Sequence, residues 1–147
     1  MKNILILFLL ATLTSGTVQI DTEAPEDYIM RGAWQLESFY LFENDQIVDT
    51  VETTDGYRQI KMYTNDKVMW TRYVPENTTE WFGYGHYEAT DSTLEERLEY
   101  GSASMMEIID TMRVFTFKLE MHGDRFSQIN VSEDGKRFSS ENYIRIE

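Results

Sequence analysis

The chain contains no cysteine among its 147 residues, only two prolines and two histidines, and half as many cationic as anionic side chains. Without cysteine there is no disulfide framework, so stability has to come from a packed core. The two histidines, His86 and His122, lie far apart, and with no thiolate to join them no zinc-ligand spacing exists. A net charge of -13 with no basic run repels nucleic acid and anionic membrane surfaces. Long hydrophobic runs are missing too. The one apolar stretch, Ile4 to Leu10, falls well short of the ~20 residues a membrane-spanning helix needs, so no stable membrane insertion is expected.

Signatures of chemistry are equally sparse. No glycine-rich phosphate loop and no Gly-x-Ser-x-Gly elbow occurs. The acidic pairs Glu95-Glu96 and Glu107 with Asp110 lack the alternating oxygens and glycine of a calcium loop. No cofactor, metal site or catalytic set is therefore expected, and no motif here commits the chain to catalysis. His86, between Gly85 and Tyr87, is the best acid–base candidate if a barrel mouth leaves it solvated.

What is present divides the chain into three. Met1-Lys2-Asn3, the apolar Ile4 to Leu10 and the following Ala11-Thr12-Leu13 have the order of a secretory signal peptide, assigned to 1–16. An exported protein, periplasmic or extracellular, is expected; the lack of cysteine excludes a bacterial lipoprotein anchor. Residues 17–30 are polar and acidic and read as an N-terminal arm. Residues 31–147 are enough for one domain with a real core and too few for two.

That domain reads as all-β. Strands are expected at about 33–42, 57–64, 67–74, 80–89, 93–100, 114–122, 125–132 and 138–146. Their punctuation, such as Asp55-Gly56, Asn65-Asp66, Gly123-Asp124 and Asp134-Gly135, tolerates the positive φ that tight hairpins need. Trp34, Leu36, Ser38 and Tyr40 fall on one face of the first strand; Phe115, Phe117, Leu119 and Met121 share a face of the sixth. Residues 93–100 also offer Leu94 and Leu98 at helical spacing, but as a strand they complete a hairpin. Ser104-Met105-Met106-Glu107 resembles a capping box, which predicts a short helix over 104–112. About eight strands joined by short turns form an antiparallel up-and-down barrel. Closing it brings the first strand's Trp34 beside the last strand's Arg145, so the guanidinium lies on the indole, worth about 2 kcal/mol.

Taken in order, Gly32-Ala33-Trp34, Lys61-Met62-Tyr63 leading to Met69-Trp70, Gly85-His86-Tyr87, and the ending from Phe138 to Arg145 carry a family likeness. The chain resembles the lipocalin-like proteins exported by Bacteroidetes-type bacteria, distant members of the calycin barrels. Similar sequences end in Glu-x-Trp-x-Arg; here Tyr143 stands for the Trp. The resemblance implies a small barrel with an apolar cavity. It implies no common ligand and no catalytic set.

Aromatic residues make up 14% of the chain, enough to wall such a cavity. By strand parity Tyr40, Trp70, Arg72, Trp81, Tyr87, Phe115 and Phe117 face inward, with Glu96 and Glu141 as polar inward candidates. Each aromatic either fills core or contacts ligand. Arg72, sharing a face with Val68 and Trp70, needs Glu96 or Glu141 as partner, awaits an anionic ligand head, or lies exposed at a rim. The expected partner is a small apolar or aromatic ligand held inside the barrel. Two other readings stand: an interaction module with a filled barrel and acidic exterior, and a barrel isomerase or cyclase. No residue pattern bears on the oligomeric state.

Overall fold

A computed structural model describes residues 29–147; the expected signal peptide and the arm up to residue 28 lie outside the described residues. Nine strands follow in chain order: β1 Gly32–Glu43, β2 Gln46–Val51, β3 Arg58–Tyr63, β4 Lys67–Tyr73, β5 Trp81–Ala89, β6 Thr93–Gly101, β7 Val114–His122, β8 Arg125–Val131 and β9 Arg137–Arg145. One helix, α1 Ala103–Ile109, joins β6 to β7. Each strand from β3 to β9 pairs antiparallel with the next, β3 pairs with β1, and β1 also pairs with β9. Eight strands therefore close a ring, and edges that would invite aggregation disappear around it. The ninth, β2, hangs on the far part of β1 as a hairpin turned by Asn44 and Asp45, both at positive φ.

Residues 93–100 are strand, as expected, with Leu94, Glu96 and Leu98 all buried on its inner side. The other expected boundaries hold closely, with two corrections. β2 was not foreseen. The helix begins earlier and ends sooner than 104–112, because its cap is Ser102, whose hydroxyl accepts from the Met105 N–H at 3.3 Å. Among the described residues no helix is long and apolar enough to cross a membrane.

One end of the barrel is filled. Trp34 is fully buried and pairs in register with Arg145, whose guanidinium carbon lies 4.0 Å from the indole centroid. The same guanidinium donates to the backbone carbonyls of Ile29, at 2.8 Å, and Arg31. Met30, fully buried, takes the indole N–H on its carbonyl at 2.7 Å. The last residues assigned to the arm are thus part of the barrel base. Gly32 permits this crossing: its φ is +126, and a Cβ there would meet the Glu147 carbonyl oxygen at 2.2 Å. Above Trp34, Phe126 packs edge-on at 4.8 Å and stacks on Tyr143 at 4.8 Å, while Tyr63 meets Tyr87 at 4.8 Å. Such aromatic pairs are worth roughly 0.5–1.5 kcal/mol each beyond the area they bury. Val68, Leu94 and Leu119 complete this core.

Candidate functional site

The other end, where α1 sits between β6 and β7, is not filled. A cavity of about 140 Å³ lies between β3, β4, β6, β7, β8, β9 and α1. Trp70, Phe115, Phe117, Leu98 and Met105 supply its apolar wall; Gln59, Lys61, Arg72, Glu96, Gln128, Asn130 and Glu141 supply its polar wall.

Trp70 reaches its place because β5 has no side chain opposite it. Trp70 and Gly83 are register partners, and a Cβ on Gly83 would stand 2.8 Å from the indole nitrogen. The indole therefore rests against Gly83 and lines the hollow. Phe115 and Phe117 project from β7 with the alternation the sequence indicates.

The polar wall forms two connected groups. Lys61 Nζ lies 2.7 Å from Glu96 Oε1 and donates to Gln128 Oε1 at 2.6 Å, with the rings of Phe117 and Tyr143 5.7 and 5.8 Å away. Tyr63 adds its hydroxyl to Glu96 Oε1 at 2.5 Å. Both charges are almost wholly buried, which is tolerable because each meets a partner and further hydrogen bonds. Burial, reinforced by the Glu96 carboxylate, pushes the Tyr63 phenol well above its ordinary range and keeps it a donor.

Glu141 anchors the second group. Its Oε2 accepts from Gln59 and Gln128, each at 3.0 Å, and from the Tyr143 hydroxyl. Burial, then Glu141, holds the Tyr143 phenol well above its usual range. Gln59 also donates to the Tyr143 oxygen at 2.5 Å, and its carbonyl accepts from Tyr57 at 2.6 Å and Arg72 Nε at 3.0 Å. Arg72 NH2 stands 3.8 Å from Glu141 Oε1, outside hydrogen-bond reach. Tyr57 is raised more modestly by burial, with Arg72 opposing.

Of the residues picked from the sequence, Trp70, Arg72, Glu96, Phe115, Phe117 and Glu141 meet at this cavity. Arg72 shares its face with Val68 and Trp70 and stands nearest Glu141, one of the several positions the sequence left open for it. Glu96 takes Lys61 instead. Three picks lie elsewhere. Tyr87 faces inward but belongs to the filled base, its hydroxyl on the Thr64 carbonyl at 2.9 Å. Trp81 is at the rim, in a groove with Arg72 and the 74–80 loop. Tyr40 is turned off the inner face by a bulge. The register jumps from Leu36↔Tyr143 to Ser38↔Asn142, so Glu37 is an extra residue and Phe39, opposite Glu141, takes the inward position. His86 lies on the outer surface, 2.6 Å from Glu99 and 3.7 Å from Asp66, not at the mouth.

Sequence reasoning passed over Lys61, Gln59, Gln128, Asn130, Leu98 and Met105. The signal for the first two was parity with Tyr63 on β3, a strand that is inside out: Gln59 and Lys61 are buried and Met62 is exposed.

No family model matches the chain, and no curated protein matches it. Among solved structures, it is similar to an uncharacterized protein from Bacteroides eggerthii DSM 20697, at 13% identity and a TM-score of 0.50, covering 79% of this chain and 98% of that one. It is also similar to a lipocalin-like protein from Bacteroides uniformis ATCC 8492, at 13% identity and a TM-score of 0.49, covering 80% and 98%. At this identity the first likeness is one of fold. That fold is a closed antiparallel meander with a tryptophan–arginine pair at its base.

Proposed function

We propose that the chain is an exported carrier or scavenger that holds one small, flat, aromatic molecule in the open half of its barrel. The observation that carries this reading is the hollow of about 140 Å³ walled by Trp70, Phe115 and Phe117 above a close-packed base. The size admits a single ring; an apolar cavity of ~150 Å³ holds benzene. Burying about 200 Å² of a ligand's apolar surface contributes roughly 5 kcal/mol, against the ~8 that micromolar affinity needs. Polar wall groups then have to supply the rest.

The test is native mass spectrometry of the protein purified from its own host, followed by thermal melting with single-ring aromatics. A co-purifying small molecule, or a melting temperature raised by such compounds, is expected. A clean apo mass with no thermal shift from any of them sinks the carrier. Export, supported by the Ile4 to Leu10 stretch after Lys2, is checked by fractionating host cells.

A second reading, an interaction module, draws on one outer feature. Met62, Met69, Tyr84 and Tyr100 are successive register partners across β3 to β6, forming an apolar row on the barrel exterior. The net charge of -13 suits it to a basic protein partner. Loss of partner capture on Met69→Glu, with ligand binding intact, would favour it.

A further inference from the structure

We infer that the ligand is a neutral ring bearing a hydrogen-bond acceptor and donor on one edge, a lactam or its heteroaromatic equivalent, docked between Arg72 and Glu141. The inference rests on reading the cavity as a ligand site, and it narrows that reading by chemical class. Its starting point is the charge of the wall. Two cations, Lys61 and Arg72, face two anions, Glu96 and Glu141, so the wall is balanced before anything enters.

Most of the polar wall is already committed. Lys61 is spent on Glu96 and Gln128, deep and sealed. The Gln59 amide is used on both sides, by Glu141 and Tyr143 on nitrogen and by Tyr57 and Arg72 on oxygen. Gln128 bridges Lys61 to Glu141. Among the described residues Glu96 Oε2 and Asn130 Oδ1 stay open as lone acceptors, and only one donor remains beside an acceptor. Arg72 is fixed through Nε, and among the described residues its terminal nitrogens make no hydrogen bond. Glu141 is fixed through Oε2, leaving Oε1 open beside Arg72 NH2 at 3.8 Å. A pre-positioned donor therefore stands next to a pre-positioned acceptor.

The edge that satisfies both presents C=O to Arg72 and N–H to Glu141. In a cyclic amide these two groups are held cis on the same edge, and the flat ring offers its faces to Trp70, Phe115 and Phe117. A carboxylate would take Arg72 but lie against Glu141; an ammonium would take Glu141 but lie against Arg72. A pure hydrocarbon would strip water from both and return nothing. The cavity volume of about 140 Å³ limits the ring to roughly one.

The experiment is an NMR titration of the full chain with four single-ring probes, following the Trp70 indole N–H. The probes are 2-pyridone (neutral lactam), benzoate, benzylamine and toluene. 2-Pyridone should bind at least about tenfold tighter than each of the others, the scale of a hydrogen bond to a charged group. Arg72→Gln should cut 2-pyridone affinity by a similar factor and leave toluene unchanged. Benzoate, benzylamine or toluene binding as tightly as 2-pyridone overturns the chemical class while leaving the cavity as a ligand site. Failure of all four to shift the Trp70 resonance removes both. The probe series needs no variant, so a poorly folding substitution does not blunt it.

Discussion

Lys61 and Glu96 meet at 2.7 Å in the middle of the barrel, with 4% and 3% of their side chains exposed. The pair joins β3 to β6 across the interior, and through Gln128 it links to the Glu141 group. Two full charges in such a place are sustained by each other, by Gln128 on the Lys61 side and by Tyr63 on the Glu96 side. Lys61→Met should therefore cost about 3–5 kcal/mol, because it strands Glu96 without a counter-charge. Adding Glu96→Gln to that variant keeps an acceptor for Tyr63 and removes the orphan charge, so at least ~1 kcal/mol should return. Urea denaturation of the single and double variants decides it. Equal stabilities would mean that Glu96 finds water or another partner when Lys61 is gone.

At the base, Arg145 combines three roles: a charge on the Trp34 face and donors to the carbonyls of Ile29 and Arg31. Lysine keeps the charge but loses the planar fork and the stacking. Arg145→Lys should thus destabilise by roughly 1–2 kcal/mol, the scale of a partly desolvated cation–π contact. Amide exchange should quicken at Ala33 and Trp34 before it does in β6 or β7. Unchanged exchange at those two amides would show that the guanidinium only decorates the base.

The barrel was legible because its punctuation is local. Asn65-Asp66, Gly123-Asp124 and Asp134-Gly135 mark hairpins within a few residues, and the inner face of β7 alternates cleanly. β2 escaped because Gln46–Val51 is exposed along its whole length and has no buried face to set a rhythm. Its turn uses Asn44 and Asp45 without a glycine. The bulge at Glu37 had no signature either, and a one-residue insertion exchanges the faces beyond it, which moved Tyr40 out and Phe39 in. The polar interior was hidden for a different reason. Hydrophobic parity makes Ile60 and Met62 look like core, whereas Gln59 and Lys61 go inside because partners 84 and 35 residues away receive them. Long-range compensation of that kind leaves only a faint local trace, the shared parity of Gln59, Lys61 and Tyr63. Arg72 was legible because it interrupted an otherwise apolar inward face.

The two buried phenols set a pH dependence on the alkaline side. Tyr63 and Tyr143 are both raised well above 10.0 in the folded chain, by burial first and by the Glu96 and Glu141 carboxylates next. Between the unfolded and folded pKa values the folded state holds more protons, so stability falls as pH rises. The contribution is fully present below about pH 10 and is lost above it. Denaturation midpoints should be flat from pH 7 to 9 and decline beyond 10, and Tyr143→Phe should soften the decline. Absorbance at 295 nm should show these two phenols ionising only as the protein unfolds. Their early titration in a chain that stays folded would contradict the burial argument.

Gly83 tests whether the hollow depends on where Trp70 rests. A methyl on Gly83 would stand 2.8 Å from the indole nitrogen, 2.9 Å from Cε2 and 3.1 Å from Cζ2, closer than carbon normally tolerates. The ring is flanked by the cavity, so the direction of escape is inward. Gly83→Ala should push the indole into a space of about 140 Å³ and weaken ring binding by about tenfold, the order expected when one methylene too many competes for a fitted pocket. Stability should fall little, because the displaced ring fills a void as it strains its old site. Titrating 2-pyridone against the wild type and Gly83→Ala gives the comparison, with the tryptophan emission reporting the move. Equal affinities, with an indole that has not shifted, would place the bound ring away from Trp70 and against the β7 phenylalanines instead.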